Sequence, residues 1–209
     1  VGAPVAQTAV IDWNKGTNYL EQTEAIATSG NWPRNVTING GQLDPAGGTT
    51  AVKWVATNPD NHQLFNAQAI SGNCVLSCYV KSDDPCAYLA AHNNAFAVYY
   101  NLSAKSISKV IGSGVSGEIE AFGDWYKITA YFPAVNNEIQ IGFLDAVYSG
   151  TSGGPWTIST ANGTSGFIAF TSLIAGTTKG PYIPNPTTAP ITTPVLLPQG
   201  LTAGRDITG

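Results

Sequence analysis

The sequence predicts an all-β fold, a two-sheet antiparallel jelly-roll sandwich with extended N- and C-terminal arms. Three observations lead there. Short segments of alternating apolar and polar residues, bounded by Gly, Asn or Pro, recur from residue 36 to residue 174, and a two-residue period sends successive side chains to opposite faces of a strand. No window carries an apolar stripe at helical spacing; Gln63–Ile70 and Tyr88–Ala95 are the only stretches into which a helical turn fits. From Gly180 the strand rhythm stops, and six of the thirteen prolines fall between Pro181 and Pro198. Many short strands in one chain of 209 residues need two packed sheets to bury their apolar faces.

The elements follow in order. Val1–Thr17 reads as an extended lead-in with Trp13 as an anchor, and Leu20–Thr28 as a short strand. Asn31-Trp32-Pro33 punctuates, Val36–Asn39 resumes a strand, and Asp44-Pro45-Ala46-Gly47-Gly48 is a turn with several φ-permissive positions. Thr50–Thr57, Leu64–Ile70 and Cys74–Lys81 continue as strands, with Asn58–Asn61 a turn among them. Cys86–Ala91, Ala95–Leu102, Ser106–Ile111, Val115–Phe122, Asp124–Phe132, Glu138–Leu144 and Phe167–Ile174 repeat the pattern, and Tyr148–Gly166 reads as a long surface loop. The predicted organisation is therefore a lead-in over 1–17, a sandwich over 18–179 and a proline-rich arm over 180–209. An apolar arm such as Ile191–Leu197 is costly to leave free in water, so it is expected to dock on its own domain or on a neighbouring subunit.

Gly123–Phe132 is the densest aromatic strand and is expected to be central. Tyr126, Ile128, Ala130 and Phe132 point one way as a core face; Trp125, Lys127, Thr129 and Tyr131 point the other. A Trp and a Tyr beside a Lys are unusual on a solvent face, so those rings sit under another layer of protein or await a ligand.

Composition narrows the function. Charged residues are 11% of the chain and apolar residues 43%, giving a polar but weakly charged surface that suits particles packed against identical copies. A net charge of −4 with no basic cluster excludes a phosphate-rich nucleic-acid partner. There is no apolar run of the ~18 residues a membrane span needs and no signal-peptide pattern. The chain begins with Val and contains no Met, as expected of a processed chain or part of a longer one.

Cys74, Cys78 and Cys86 read as buried free thiols; a cross-strand disulfide through Cys86 is the alternative, and a zinc site would want a fourth ligand, for which His92 is the only nearby His and the ligand spacing is missing. Glu118 and Glu120 share a strand face, and Gly117–Asp124 resembles the start of the catalytic strand of laminarinase-type jelly-roll glycosidases, but where that family places a Glu two or three residues further on this chain has Phe122 and Gly123. His62 and His92 suggest no Ser-His-Asp arrangement. Neither catalytic residues, nor a metal, nor a cofactor is expected. Three Asn-x-Ser/Thr triplets, beginning at Asn35, Asn101 and Asn162, are chance matches in so Asn- and Thr-rich a chain.

The succession Asn18-Tyr-Leu, Asn31-Trp32, Cys78-Tyr-Val-Lys81, Tyr100-Asn-Leu102, Gly123-Asp-Trp-Tyr-Lys127 and Gly180-Pro-Tyr-Ile-Pro184 resembles the carbohydrate-binding-module-like jelly-roll domains of tailed-bacteriophage structural proteins, over roughly residues 18–185. Lys127 stands where those domains carry Arg, and Phe167–Ser172 replaces their Trp-Gly-Ala-Gln segment. The resemblance implies a non-enzymatic protein of the virion surface: a capsid decoration, head fibre or tail fibre. Its partners would be other virion proteins or identical subunits in a homo-oligomer. The alternative is a glycan-binding module for host attachment, with Trp125, Lys127 and Tyr131 forming the sugar face and Tyr99 and Gln140 on a neighbouring strand.

Overall fold

A computed structural model describes residues 16–20, 23, 26–27, 33–57, 63–91, 95–136, 138–148, 161, 163–180, 182 and 191–193. Trp13, the Asn31-Trp32 and Asn58–Asn61 turns, His62, His92 and most of the Tyr148–Gly166 loop and the proline-rich arm lie outside these residues. The described chain is all strand and turn. Gly16–Asn18 (β1), Pro33–Arg34 (β2), Val36–Gln42 (β3), Ala51–Ala56 (β4), Gln63–Ala67 (β5), Cys74–Lys81 (β6) and Cys86–Ala91 (β7) make up the first half. Phe96–Asn101 (β8), Ser106–Ile111 (β9), Ser116–Phe122 (β10), Trp125–Phe132 (β11), Glu138–Leu144 (β12), Ser165–Ala175 (β13) and Ile191–Thr193 (β14) complete it.

Two six-stranded sheets, ordered β10-β11-β6-β13-β4-β3 and β2-β5-β12-β7-β8-β9, stack face to face; among the described residues their strands pair antiparallel. β4 pairs β13, β5 pairs β12, β6 pairs β11 and β7 pairs β8. That nesting is one long hairpin rolled up, the jelly roll expected from the strand rhythm. β11 lies between β10 and β6, one place in from the edge rather than at the centre. Within the stretches open to a helical turn, Gln63–Ala67 and Tyr88–Ala91 are extended instead, in β5 and β7.

The core lies between the sheets. Ile128, Ala130 and Phe132 of β11 are buried in it, with Tyr126 packed at its margin, so the predicted core face holds. Trp54 meets Phe143 of the other sheet at 5.5 Å between ring centroids. Tyr100 crosses from β8 to donate its hydroxyl to the Thr129 carbonyl at 2.6 Å, with Gly117 leaving room for the ring tip: a Cβ there would stand 3.0 Å from the Tyr100 hydroxyl. Tyr100→Phe is expected to cost about 1.5 kcal/mol in urea unfolding, because the fully buried ring loses its hydroxyl bond to the other layer and leaves the Thr129 carbonyl without it.

Three differences from expectation have physical causes. Leu20, Thr23, Ile26 and Ala27 are in bends and turns, not a strand; Leu20 and Ile26 drop individually into the core. β13 begins at Ser165, inside the stretch read as loop, because Gly166 is a strand position opposite Trp54. Ile191–Thr193, in the arm read as without strand rhythm but expected to dock on its own domain or on a neighbouring subunit, docks on its own chain as a short strand, β14, against β1, its β-branched residues bracketed by Pro190 and Pro194.

Cys74 and Cys78 are core residues, whereas Cys86 belongs to a cluster behind the second sheet; all three are buried free thiols. Burial pushes the Cys74 thiol up to about 12 and raises that of Cys78 as well.

Candidate functional site

The outer face of the first sheet is a grid set by strand register. One row runs Glu120, Lys127, Tyr79, Ala169; the next runs Glu118, Thr129, Ser77, Ser172; a third runs Ser116, Tyr131, Val75, Ile174. Trp125, Lys127, Thr129 and Tyr131 therefore do share one face, as alternation requires. They are not an open platform. Trp125 is 8% exposed, packed with Ala51 and Ala169 and edge-on to Phe167. Thr129 is fully buried, and Lys127 and Tyr131 are half-buried.

Part of that cover comes from the chain following β13. Lys179 Nζ pairs with Glu118 at 2.8 Å and with Glu120. Gly180 runs so close to Ile174 that a Cβ would lie 2.9 Å from its Cδ1. Tyr182 lies on Phe170 at 4.8 Å, its hydroxyl 3.3 Å from that of Thr23. The two strand-face carboxylates thus hold a lysine, and Tyr131 donates to Glu118 at 2.9 Å. The hydrogen bond from Lys179, then that from Tyr131, holds the Glu118 carboxyl below its ordinary value.

Because that value is depressed on folding, the pairing stabilises fully above the ordinary carboxylate range and is lost as pH falls through the lowered value. Glu118→Gln is expected to cost under about 1 kcal/mol at pH 7, since the pair is exposed. Its difference from the native chain is expected to shrink below about pH 4, as urea midpoints at pH 7 and pH 3 will show.

Tyr99 and Gln140 do not neighbour this face. They belong to the second sheet, on β8 and β12, and point away from the core with Cys86 and Tyr88. Both are fully buried. Tyr99 stacks on Tyr148 at 4.3 Å, and Gln140 donates to Glu138. Burial, reinforced by Tyr148 and Cys86, pushes the Tyr99 phenol far up. The five proposed sugar contacts are thus divided between two sheets, so they form no single surface.

What the structure does assemble is a cleft of about 540 Å³ at one end of the first sheet. Its walls are Leu43 from the β3–β4 loop, Phe122 and Trp125 from the β10–β11 hairpin, and Phe167 from the start of β13. Gln42 and the Lys81–Asp124 ion pair, 3.2 Å long, also line it. Each wall has a local cause. Gly123 takes φ +58° at the first position of a two-residue hairpin loop, as a type II′ turn needs, and so sets Phe122 beside Trp125. The buried Asp44 carboxylate accepts from the backbone N–H groups of Ala46, Gly48 and Thr50 and from the Thr50 hydroxyl, at 2.9 to 3.1 Å. Burial pushes that carboxyl up, but these bonds outweigh it and leave it lowered. The loop carrying Leu43 is rigid by construction.

Of the cleft, the expected site contained only Trp125. Leu43, Phe122, Lys81 and Phe167 come from four separate segments, and only strand register brings them together. The aromatic flanks of Gly123-Asp124 were the one sequence signal for it. Among the described residues no group of three His, Cys, Asp or Glu side chains is placed to hold a metal. No protein-family model and no curated protein matches the chain.

Proposed function

We propose that the chain is a non-enzymatic structural protein of a virion surface, a capsid decoration, head fibre or tail-fibre component, whose arms join it to identical subunits or other virion proteins. One observation carries the reading: the face holding the candidate rings is crossed by the start of the C-terminal arm, through Lys179, Gly180 and Tyr182. A sugar platform needs that face open; a building block needs it closed. The weakly charged surface and the resemblance to phage jelly-roll domains support the same reading, and the engagement of both Glu118 and Glu120 by Lys179 argues against hydrolysis. Cosedimentation of the purified chain with particles is the test. Attachment that depends on residues 180–209 is the expected result; a chain that ignores particles, or whose attachment survives loss of those residues, counts against it.

The end cleft favours a second reading, glycan binding for host attachment. Indole and phenyl walls with an amide, an acid and a lysine at the rim are the groups that recognise pyranose rings and their hydroxyls. Polysaccharide that quenches Trp125 fluorescence, with loss of the effect in Phe122→Ser, would support it.

A further inference from the structure

We infer that Asn39-Gly40 is a site of spontaneous covalent modification, at which the Asn39 side-chain amide is converted through a succinimide to aspartate and isoaspartate. The chain has two Asn-Gly steps, Asn39-Gly40 and Asn162-Gly163. Glycine after the asparagine lets the ring close, because it has no Cβ to crowd the approach and the widest choice of backbone angles. The two steps differ in what holds the attacking nitrogen.

At Gly163 that nitrogen is engaged: its N–H donates to the Ala56 carbonyl at 3.0 Å. At Gly40 it faces outward. Thr57 N–H donates to the Asn35 carbonyl at 3.1 Å, and the register runs from Val36 opposite Ala56 to Asn39 opposite Lys53. Bonded pairs recur at every second residue of an antiparallel ladder, so Thr37 and Asn39 are bonded toward β4 and the N–H of Gly40 turns to the other side. On that side β3 is the edge of its sheet among the described residues. Asn39 and Gly40 are both exposed. The ladder also breaks here, with Gly40 and Gly41 opposite the single residue Val52 and Gly41 at φ +70°. A bulge made of glycines lets the backbone rotate into the geometry of attack.

The reaction needs only water. The Gly40 nitrogen, having lost its proton to solvent base, bonds to Asn39 Cγ; the bond from Cγ to Nδ2 breaks, and ammonia leaves with a proton from solvent. Water then opens the cyclic imide. Opening at Cγ gives aspartate, and opening at the main-chain carbonyl gives isoaspartate, whose backbone runs through Cβ and Cγ. Water is consumed and ammonia released in equal amounts, with no change of oxidation state.

The product carboxylate reaches the end cleft. Asn39 is directly opposite Lys53, close enough across the strands for opposite charges to interact. Lys53 Nζ lies over the Phe167 ring at 5.8 Å, and Phe167 is a wall of the cleft. A charge at position 39 competes with that ring for Lys53, and isoaspartate also lengthens β3 just before Leu43 at the rim.

The test is peptide mapping by mass spectrometry of the native full chain aged in mildly alkaline buffer, folded and in urea, with enzymatic methyl labelling of isoaspartate. In the folded chain Asn39 is expected to convert at least about tenfold faster than Asn162, and in urea the two rates are expected to converge. Asn39→Gln, which would have to close a larger ring, is expected to remove the label at this site while thermal unfolding stays close to native. An Asn39 that does not convert in the folded chain, folded rates that are equal at the two steps, or a rate gap that persists in urea each overturns the inference. The effect on the cleft is read by NMR in Asn39→Asp. The Phe167 ring signals are expected to shift as Lys53 turns to the carboxylate, and unshifted signals overturn the link to the cleft.

Discussion

Asn18→Ala is expected to lower the unfolding free energy by about 3 kcal/mol, because it strips three buried backbone groups of their partner at once. The β13 ladder breaks between Ala169 and Ser172, where Phe170 adopts φ +52°. A non-glycine residue there is strained and persists only if its surroundings hold it. Asn18 does so from β1. Its side-chain oxygen accepts from Leu173 N at 3.0 Å and Leu20 N at 3.2 Å, while Nδ2 donates to the Thr171 carbonyl at 3.3 Å. Asn18 is fully buried, so water does not replace these bonds. Asn18→Asp keeps the acceptor but turns a second oxygen toward the Thr171 carbonyl, and is expected to cost at least as much.

The consequence reaches the arm. β14 pairs only with β1 among the described residues, so loosening Asn18 should speed amide exchange of Ile191–Thr193 before global unfolding. Urea midpoints measure the stability loss and hydrogen exchange the release. A loss below about 0.5 kcal/mol, the scale of an ordinary surface substitution, would show that the bulge is held by something else.

The same residue shows what a sequence conceals. Strands whose both ends carry turn residues were legible to the residue: Cys74–Lys81, Cys86–Ala91, Ser106–Ile111 and Glu138–Leu144. Alternation reads out faces within a strand, and so the split of Trp125, Lys127 and Tyr131 from Tyr126, Ile128 and Phe132 was legible too. Alternation is silent on which sheet a strand joins, and this is why Tyr99 and Gln140 were placed beside β11 when they lie in the other layer. A bulge adds a residue without changing composition, so nothing in Phe167–Ile174 announces Phe170. The cleft is hardest of all, since Leu43 and Phe122 are distant in sequence and each alone is an unremarkable exposed side chain.

Trp54→Ala is expected to cost about 4 kcal/mol, the range for a large buried aromatic whose cavity cannot collapse. The site is rigid for a reason visible one strand away. Gly166 stands opposite Trp54 on β13, and the Phe143 ring from β12 enters the space above it. A Cβ at Gly166 would lie about 2.5 Å from three atoms of that ring, a distance that forces the ring to move. Glycine was needed at 166 for this close approach, although from sequence it read as the end of a loop. Gly166→Ala is accordingly expected to cost about 2 kcal/mol by overpacking. Most of that should vanish in a Phe143→Ala background, where the obstructing ring is gone. The double-mutant cycle decides the matter: a coupling of about 1 kcal/mol or more between positions 166 and 143 assigns the penalty to the ring. Additive losses would instead trace it to the backbone of β13.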